Sequence, residues 1–148
     1  YRMEESIEVR FGDGLQILSK EDEITAVTIC GMGGELISRI LEAGYCGGHL
    51  SGEERLILQP NVAEHFVREW LMNHSYRITH ETVVEDNHRL YEIIVAEPVE
   101  ERIEYTELEI KYGPILLKEP SELSVAKWSR MNRKNKEIME QLQLVQVM

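Results

Sequence analysis

Apolar residues follow strand-like spacing in five parts of the chain. Residues 26–30 form a buried run, and residues 55–59 contain the continuous apolar stretch expected of a strand covered on both faces. Residues 7–11 and 76–85 alternate apolar and polar side chains, which favours strands. Residues 90–96 return after a short polar turn, so the last two predicted strands form a hairpin.

Helical spacing between these strands predicts two helices. In residues 35–43 the apolar positions form one stripe, and Gly44 is expected to end the helix. The second helix is predicted to begin at Asn61, an N-cap with Glu64 in a capping box, and to run to about Asn73. Its apolar side chains, which we expect in the core, are Val62, Phe66, Val67, Trp70 and Leu71. Strands that alternate with helices predict an α/β fold, with a mostly parallel sheet and an antiparallel hairpin at its edge.

The last third of the chain predicts helices outside the sheet. Residues 105–112 fit a helix or a strand, and a long helix is expected from Pro120-Ser121 onward. This helix has coiled-coil spacing over barely three heptads, with the polar Asn135 at one seam position. The apolar seam positions are Trp128, Met131, Ile138, Leu142 and Val145. The seam fits three arrangements: packing against residues 105–112 in an intramolecular helical hairpin, packing against a partner that is absent from the sequence, and packing against a second copy in a dimer. The oligomeric state therefore stays open. We therefore divide the chain into a sheet portion, 1–98, and a connector with a helical appendage, 99–148.

Composition sets the class of protein. The chain has 148 residues and is 43% apolar, which is enough for one domain with a core, and it has no apolar run of membrane-spanning length. It begins at Tyr1 within polar sequence and without a signal-peptide pattern, which suggests a fragment or a processed chain.

Cys30 and Cys46 are not at CxxC spacing, and we expect Cys30 to be a packed thiol in a reducing cytoplasm. Cys46 and His49 lack a second pair of ligands, so no metal site is expected.

Charge is distributed unevenly along the chain. The net charge of −11 argues against a nucleic-acid partner. Residues 121–148 nevertheless contain five cations and three acids, and no acid lies between Lys127 and Lys136. This cation cluster is a candidate surface for a nucleic-acid backbone, with a plain solvated helix face as the equal alternative.

Glycine turns after two of the predicted strands are the candidate ligand sites. Gly31-Met32-Gly33-Gly34 joins a strand to a helix, where a ligand can approach the backbone. Three known motifs do not fit this turn. A P-loop needs Lys-Ser/Thr, which is absent, and the dinucleotide fingerprint needs glycine at the position of Leu36. A nucleophile elbow needs Ser or Cys in the turn, where this chain has Met32. The remaining backbone-lined crevice suits a flat, largely neutral ligand or a nucleobase. Gly12-Asp13-Gly14 is either a plain turn or an acceptor for a ligand amine or hydroxyl.

Four longer segments carry a family resemblance. IEVRFGDGL, ITAVTICGMGGELISRILEAG, RLILQPNVAEHFVREWL and RLYEIIVAE lie within residues 7–97. Together they resemble the bacterial tRNA methyltransferases that modify N1 of the adenine at position 22. The segment from Gly113-Pro114 to Lys118-Glu119, with the helix after it, is similar to the C-terminal part of that family. The strings GMGGELI and LILQPN are much more specific than any single glycine pattern.

The resemblance implies a Rossmann-like class I methyltransferase sheet, of which residues 7–11, 26–30 and 55–59 are the third to fifth strands. It implies S-adenosyl-L-methionine as cofactor and tRNA as partner. The cofactor-binding residues it implies are Gly12, Asp13, Gly14, Gly31 and Met32, with Asp13 beside the adenine amine. The substrate-binding residues it implies are Gly33, Gly34, Gln59, Pro60 and Asn61. Candidates for the tRNA backbone are Lys127, Arg130, Arg133 and Lys134, and no catalytic residue is assigned.

The sequence lacks the first two strands of that fold, which carry most of the contacts to the methionine and ribose of the cofactor. We therefore expect these 148 residues alone to bind the cofactor poorly. A competing hypothesis is an inactive module that pairs through its hairpin edge or its C-terminal helix, which predicts no cofactor binding and a helix-dependent oligomer. A third hypothesis is an unrelated α/β hydrolase or oxidoreductase. The absence of a nucleophile elbow and of the dinucleotide fingerprint from the glycine turn argues against it.

Overall fold

A computed structural model describes residues 5–147 and contains a sheet in the strand order β1-β2-β4-β3. Short 3-10 turns at Gly14–Ile17 and Lys20–Asp22 precede the sheet. The elements that follow are β1 (Ala26–Met32), α1 (Gly34–Cys46), β2 (Arg55–Pro60), α2 (Glu64–Asn73), β3 (Tyr76–Asp86), β4 (Arg89–Pro98), α3 (Glu107–Tyr112), α4 (Pro114–Lys118) and α5 (Glu122–Val147).

The strand pairings confirm an α/β fold with an antiparallel hairpin and a helical appendage. β1 and β2 are parallel, while β2 with β4 and β3 with β4 are antiparallel. One of the three pairings is therefore parallel, so the sheet formed by the described residues is less parallel than expected. The reason is that the strand predicted at residues 7–11 does not form.

Residues 7–11 are irregular and exposed in the structure. The side chains of Val9 and Phe11 are 91% and 106% exposed. Arg10 donates to both carboxylate oxygens of Asp22, at 2.6 and 2.7 Å, and to the carbonyl of Ile17 at 2.8 Å. A strand is stable only when a neighbour takes up its backbone hydrogen bonds, and side-chain contacts of Arg10 hold this segment instead.

The helix α1 does not end at Gly44 but continues to Cys46. A Cβ atom on Gly44 would lie 2.6 Å from Cδ1 of Leu15. Glycine at this position therefore lets the turn at Gly14–Ile17 pack closely against the last turn of the helix. Both cysteines are free and exposed, so Cys30 is not the packed thiol that was expected. Cys30 lies on β1, an edge strand of the described sheet.

The helix α2 begins at Glu64, and the predicted capping box at Asn61 is wrong. Ala63 is the N-cap, with a left-handed φ of 57°, and no side chain of the described residues caps this end. The Glu64 carboxylate lies 3.1 Å from Nζ of Lys127 instead. Val62 is 64% exposed, contrary to expectation, while Val67, Trp70 and Leu71 are buried and Phe66 is half-buried.

The core lies between the sheet and the first two helices. Its fully buried side chains come from α1, β2, α2 and β4 and include Ile37, Leu41, Leu56, Leu58, Val67, Leu71 and Ile94. Burying a large aliphatic side chain contributes roughly 1.5–3 kcal/mol, so this cluster fixes the two helices on the sheet. The carboxyl ends of β1 and β2, where α1 and α2 follow, are thereby held beside each other.

The appendage packs on the hairpin side of the sheet. Residues 107–112 are helical, and Thr106 caps that helix by accepting a hydrogen bond from Glu109 N at 3.2 Å. Trp128 of α5 meets Tyr112 edge to face, with ring centroids 5.4 Å apart. Further along α5 the seam side chains Ile138 and Leu142 are exposed. The seam position Val145 lies outside the side chains that the structure describes.

Candidate functional site

The carboxyl ends of the parallel strands β1 and β2 form a single junction. The register places Met32 opposite Pro60 after an irregularity between Cys30 and Met32. Gly31 lies in that irregularity with a φ of 78°, a conformation that favours glycine. Within residues 5–147 no heavy atom lies within 4 Å of the position that a Cβ of Gly31 would take, so this backbone faces open space in the part of the chain that the structure describes.

The side chain of Gln59 ties the two strand ends together. Its Oε1 accepts a hydrogen bond from Gly31 N at 2.8 Å, and its Nε2 donates to Asn61 Oδ1 at 3.0 Å. Asn61 N in turn donates to the carbonyl of Met32 at 2.8 Å. The orientation of the exposed Asn61 carboxamide is thus set by Gln59, which leaves its Nδ2 donors available to a ligand.

The start of α1 packs directly against the turn after β2. Gly34 N donates to the carbonyl of Val62 at 2.8 Å. A Cβ atom on Gly34 would lie 2.0 Å from the carbonyl oxygen of Ala63, whereas one on Gly33 would meet nothing closer than 3.8 Å. Gly34 is therefore required by backbone-to-backbone packing, and the floor of the junction is built mainly from main chain.

The turn Gly12-Asp13-Gly14 lies elsewhere than expected. It is not at the end of a strand, and Asp13 and Gly14 line a groove of about 230 Å³ beside Leu36 and Ile40 on α1. Asp13 is exposed, and its carbonyl accepts a hydrogen bond from Gln16 N at 3.2 Å. Among the sequence-predicted cofactor residues, the structure places only Gly31 and Met32 at the junction, with the substrate candidates Gly33, Gly34, Gln59, Pro60 and Asn61.

Lys127, a predicted contact of tRNA, has its ammonium group paired with two carboxylates of the protein. Its Nζ lies 2.8 Å from Glu92 Oε2 and 3.1 Å from Glu64 Oε1, and its side chain is only 13% exposed. Burial by itself lowers the pKa of Lys127, but the carboxylates of Glu92 and Glu64 outweigh burial and raise the pKa above its ordinary value. Lys127 therefore fastens α5 to β4 and α2.

The other predicted cations of α5 remain on the surface. Arg130, Arg133 and Lys134 are exposed, and Arg130 Nη1 donates to the carbonyl of His88 at 3.3 Å. Residues from the strand end, the hairpin turn and α5 line one groove of about 400 Å³. They are Asn61, Val62, His88, Arg89, Leu90, Tyr91, Lys127 and Arg130.

Sequence reasoning missed Arg89 as well as a buried charge cluster behind the groove. In that cluster Arg68 is fully buried, lies 2.8 Å from Glu81 and also contacts Glu92. The signal that was available is Glu92 itself, a lone acid inside the apolar strand LYEIIVA, where a partner of opposite charge is required.

The described residues contain neither a cluster of metal ligands nor a membrane-spanning helix. Within residues 5–147, no three His, Cys, Asp or Glu side chains are grouped to hold a metal ion. No helix in that part of the chain is long and apolar enough to cross a membrane.

Comparison with known proteins gives consistent matches. A family model described as tRNA (adenine(22)-N(1))-methyltransferase matches residues 1–147. A Bacillus subtilis (strain 168) protein of that name is 40% identical over 140 residues, which are 92% of this chain and 58% of the relative. The chain thus spans less than two thirds of the length of that relative.

Solved structures agree with the sequence matches. An uncharacterized protein of Listeria monocytogenes serotype 4b is 40% identical with a TM-score of 0.87, over 93% of this chain and 59% of its own. A Streptococcus pneumoniae protein in complex with S-adenosyl-L-methionine is 37% identical with a TM-score of 0.84, over 96% of this chain and 67% of its own.

Proposed function

We propose, because the chain belongs to the tRNA (adenine(22)-N(1))-methyltransferase family, that it forms one wall of an active site which methylates N1 of adenine 22 in tRNA. The observation that carries this proposal is the junction of β1 and β2, where Gln59 joins Gly31 to Asn61. In open α/β sheets ligands bind in the crevice at the carboxyl ends of the strands, and this junction lies at such a crevice.

The residues at the junction fit S-adenosyl-L-methionine as cofactor. Gly31 faces open space, and the lack of a side chain there allows a ligand to lie against the main chain. Gly31 and Met32 would hold the cofactor near its methyl group, and Gly12, Asp13 and Gly14 are proposed contacts for its adenine. When bound, the cofactor would supply a methyl group whose carbon accepts the lone pair of adenine N1 as its bond to the sulfonium sulfur breaks in line, which leaves a neutral thioether.

Asn61 is the proposed reader of the target base. Asparagine pairs with adenine in two hydrogen bonds, in which its Oδ1 accepts from the N6 amine and its Nδ2 donates to N7. This arrangement leaves N1 free to attack. Because Gln59 already donates to one lone pair of Asn61 Oδ1, the carboxamide is oriented before the base arrives. Gly33, Gly34 and Pro60 shape the wall beside the base.

Positioning supplies most of the rate in such a reaction, because the sulfonium is already activated and adenine N1 already carries a lone pair. The base must leave the helical stack to reach the junction. Arg130, Arg133 and Lys134 are proposed contacts of the tRNA backbone, since phosphates are neutralised by exposed cations. The cytoplasm is the proposed compartment, because tRNA substrates are found there.

The experiment is a methylation assay on defined tRNA transcripts. The protein is expressed from its gene, so that any residues encoded ahead of Tyr1 are retained, and is incubated with methyl-labelled S-adenosyl-L-methionine. We expect 1-methyladenosine at position 22 of a transcript with adenine there and no label in the matched transcript with guanine at 22. Equal labelling of the two transcripts, or no labelling of either, would overturn the proposal.

A further inference from the structure

The groove between the hairpin turn and α5 is lined by Asn61 of the junction as well as by residues of the hairpin and of α5. Arg89 is the first residue of β4, and Arg130 lies on α5 and donates to the carbonyl of His88, next to Arg89 in the hairpin turn. The half-buried ring of Tyr91 lines the same groove. An RNA strand whose target base lies at Asn61 therefore has beside it a groove that both arginines line.

The two arginines are available to an anion. Both are exposed, and within residues 5–147 neither forms an ion pair. Arg130 donates one hydrogen bond, to the carbonyl of His88, and has four N–H groups left. Guanidinium groups bind phosphate through paired hydrogen bonds, which suits this arrangement.

The position of Arg130 is fixed rather than incidental. Lys127 lies one helical turn earlier, and its contacts with Glu64 and Glu92 hold that turn of α5 against the sheet. Residues three apart on a helix lie on the same face, so the ion pairs of Lys127 hold Arg130 over the hairpin turn. The groove is thus formed by packed elements and does not depend on a loop closing.

We propose that this groove binds the RNA strand beside the target adenine, with Arg89 and Arg130 on a phosphate that adjoins the flipped nucleotide. The inference rests on the proposed function, since it takes Asn61 as the site of the target base. Tyr91 offers a ring on which the neighbouring unpaired base stacks. Phosphate contacts carry no sequence information but fix the register of the strand, so the groove selects which base reaches Asn61.

The test combines arginine variants with a neutral phosphate. Binding of a tRNA transcript is measured for the wild type, Arg89→Ala and Arg130→Ala, with methylphosphonate placed in turn at the two phosphates that flank adenine 22. The wild type should lose about tenfold in affinity at one of these positions, the usual effect of removing a charged hydrogen bond. Each variant should lose about tenfold on ordinary RNA and should be less sensitive than the wild type to the same methylphosphonate, because only one of the two arginines still contacts that phosphate. For each variant, the slope of log affinity against log salt concentration should be smaller in magnitude than that of the wild type by about 0.7.

Arg102→Ala is the matched control, because Arg102 is an 87% exposed arginine on the connector, outside the groove. It changes the net charge equally and should bind like the wild type. The groove proposal is overturned if Arg89→Ala and Arg130→Ala also bind like the wild type, or if they stay as sensitive to the methylphosphonate. In that case the wild type still methylates adenine 22, whereas failure of the proposed function appears as no methylation by the wild type itself.

Discussion

Nζ of Lys127 on α5 lies 2.8 Å from Oε2 of Glu92 on β4. The same nitrogen reaches Glu64 at the start of α2, so one ammonium group joins three elements. The side chain of Glu92 is 2% exposed, and its negative charge is tolerated there because Lys127 and Arg68 both contact it. The position of the appendage on the sheet is therefore set by a charge contact as well as by apolar packing.

Replacing Lys127 by methionine should loosen this joint. The largely buried carboxylate of Glu64 would lose its cation and Glu92 would keep only Arg68, and removing one partner of a buried pair leaves an uncompensated charge. We expect the free energy of unfolding, measured by urea titration at pH 7, to fall by about 2 kcal/mol. Lys134→Met, on an exposed position of the same helix, should change it by less than about 0.5 kcal/mol. Equal effects of the two substitutions would contradict the role given to Lys127.

Arg68→Lys should be destabilising although it keeps the charge. The guanidinium of Arg68 donates to Glu81 at 2.9 Å and to the carbonyls of Ile110 and Lys111 at 3.3 Å, and it also contacts Glu92. An ammonium group lacks the planar fork that reaches these partners together. We expect a loss of about 2–3 kcal/mol in the free energy of unfolding, and a larger loss for Arg68→Met. Unchanged stability of Arg68→Lys would show that charge alone suffices.

The sequence predicted those elements whose signal is local. The strands at 26–30 and 55–59, the hairpin and the long helix were recognised because periodicity and turn residues belong to the segments themselves. The strand at 7–11 was predicted wrongly, because alternation alone cannot supply the neighbour that a strand needs.

Partners that are distant in sequence account for the other errors. Glu64 fits a capping box by spacing, but a cation from α5 competes for its carboxylate. Lys127 looked like a surface residue for the same reason. At the candidate site, Gly31, Gln59 and Asn61 were proposed through family resemblance, and only the structure shows that one amide side chain links them.

Stability should depend on pH through Asp22. Hydrogen bonds from Arg10, followed by one from Ser19 N, hold the pKa of the Asp22 carboxyl well below its usual range. A depressed pKa in the folded state means that the stabilising effect is present above the pKa of the unfolded carboxyl, about 3.9, and is lost as pH falls below it. The difference in the free energy of unfolding between the wild type and Asp22→Asn should be constant above about pH 5 and shrink toward pH 2. A difference that grows as pH falls would contradict this assignment.

Gly34→Ala should disrupt the junction, whereas Gly33→Ala should not. The new methyl group at position 34 would lie 2.0 Å from the carbonyl oxygen of Ala63, so α1 and the turn after β2 must separate. Such overpacking costs about 1–3 kcal/mol, and the hydrogen bond from Gly34 N to Val62 is lost as well. At Gly33 the nearest atom is 3.8 Å away, and the change in stability should stay below about 1 kcal/mol. Thermal unfolding of the two variants checks the comparison directly, and equal losses would argue against close packing at Gly34.

Asn61→Ala should reduce methylation by removing the proposed contacts with the target adenine. Loss of a bidentate contact with a base costs about 1–3 kcal/mol, so kcat/KM should fall by roughly ten- to a hundredfold. A transcript with 7-deaza-adenine at position 22 lacks the N7 acceptor and should slow the wild type by about tenfold. The same transcript should not slow Asn61→Ala any further, because the donor to N7 is already gone. Full additivity of the two changes would place the target base away from Asn61, while the contact between Gln59 and Gly31 would keep its structural role.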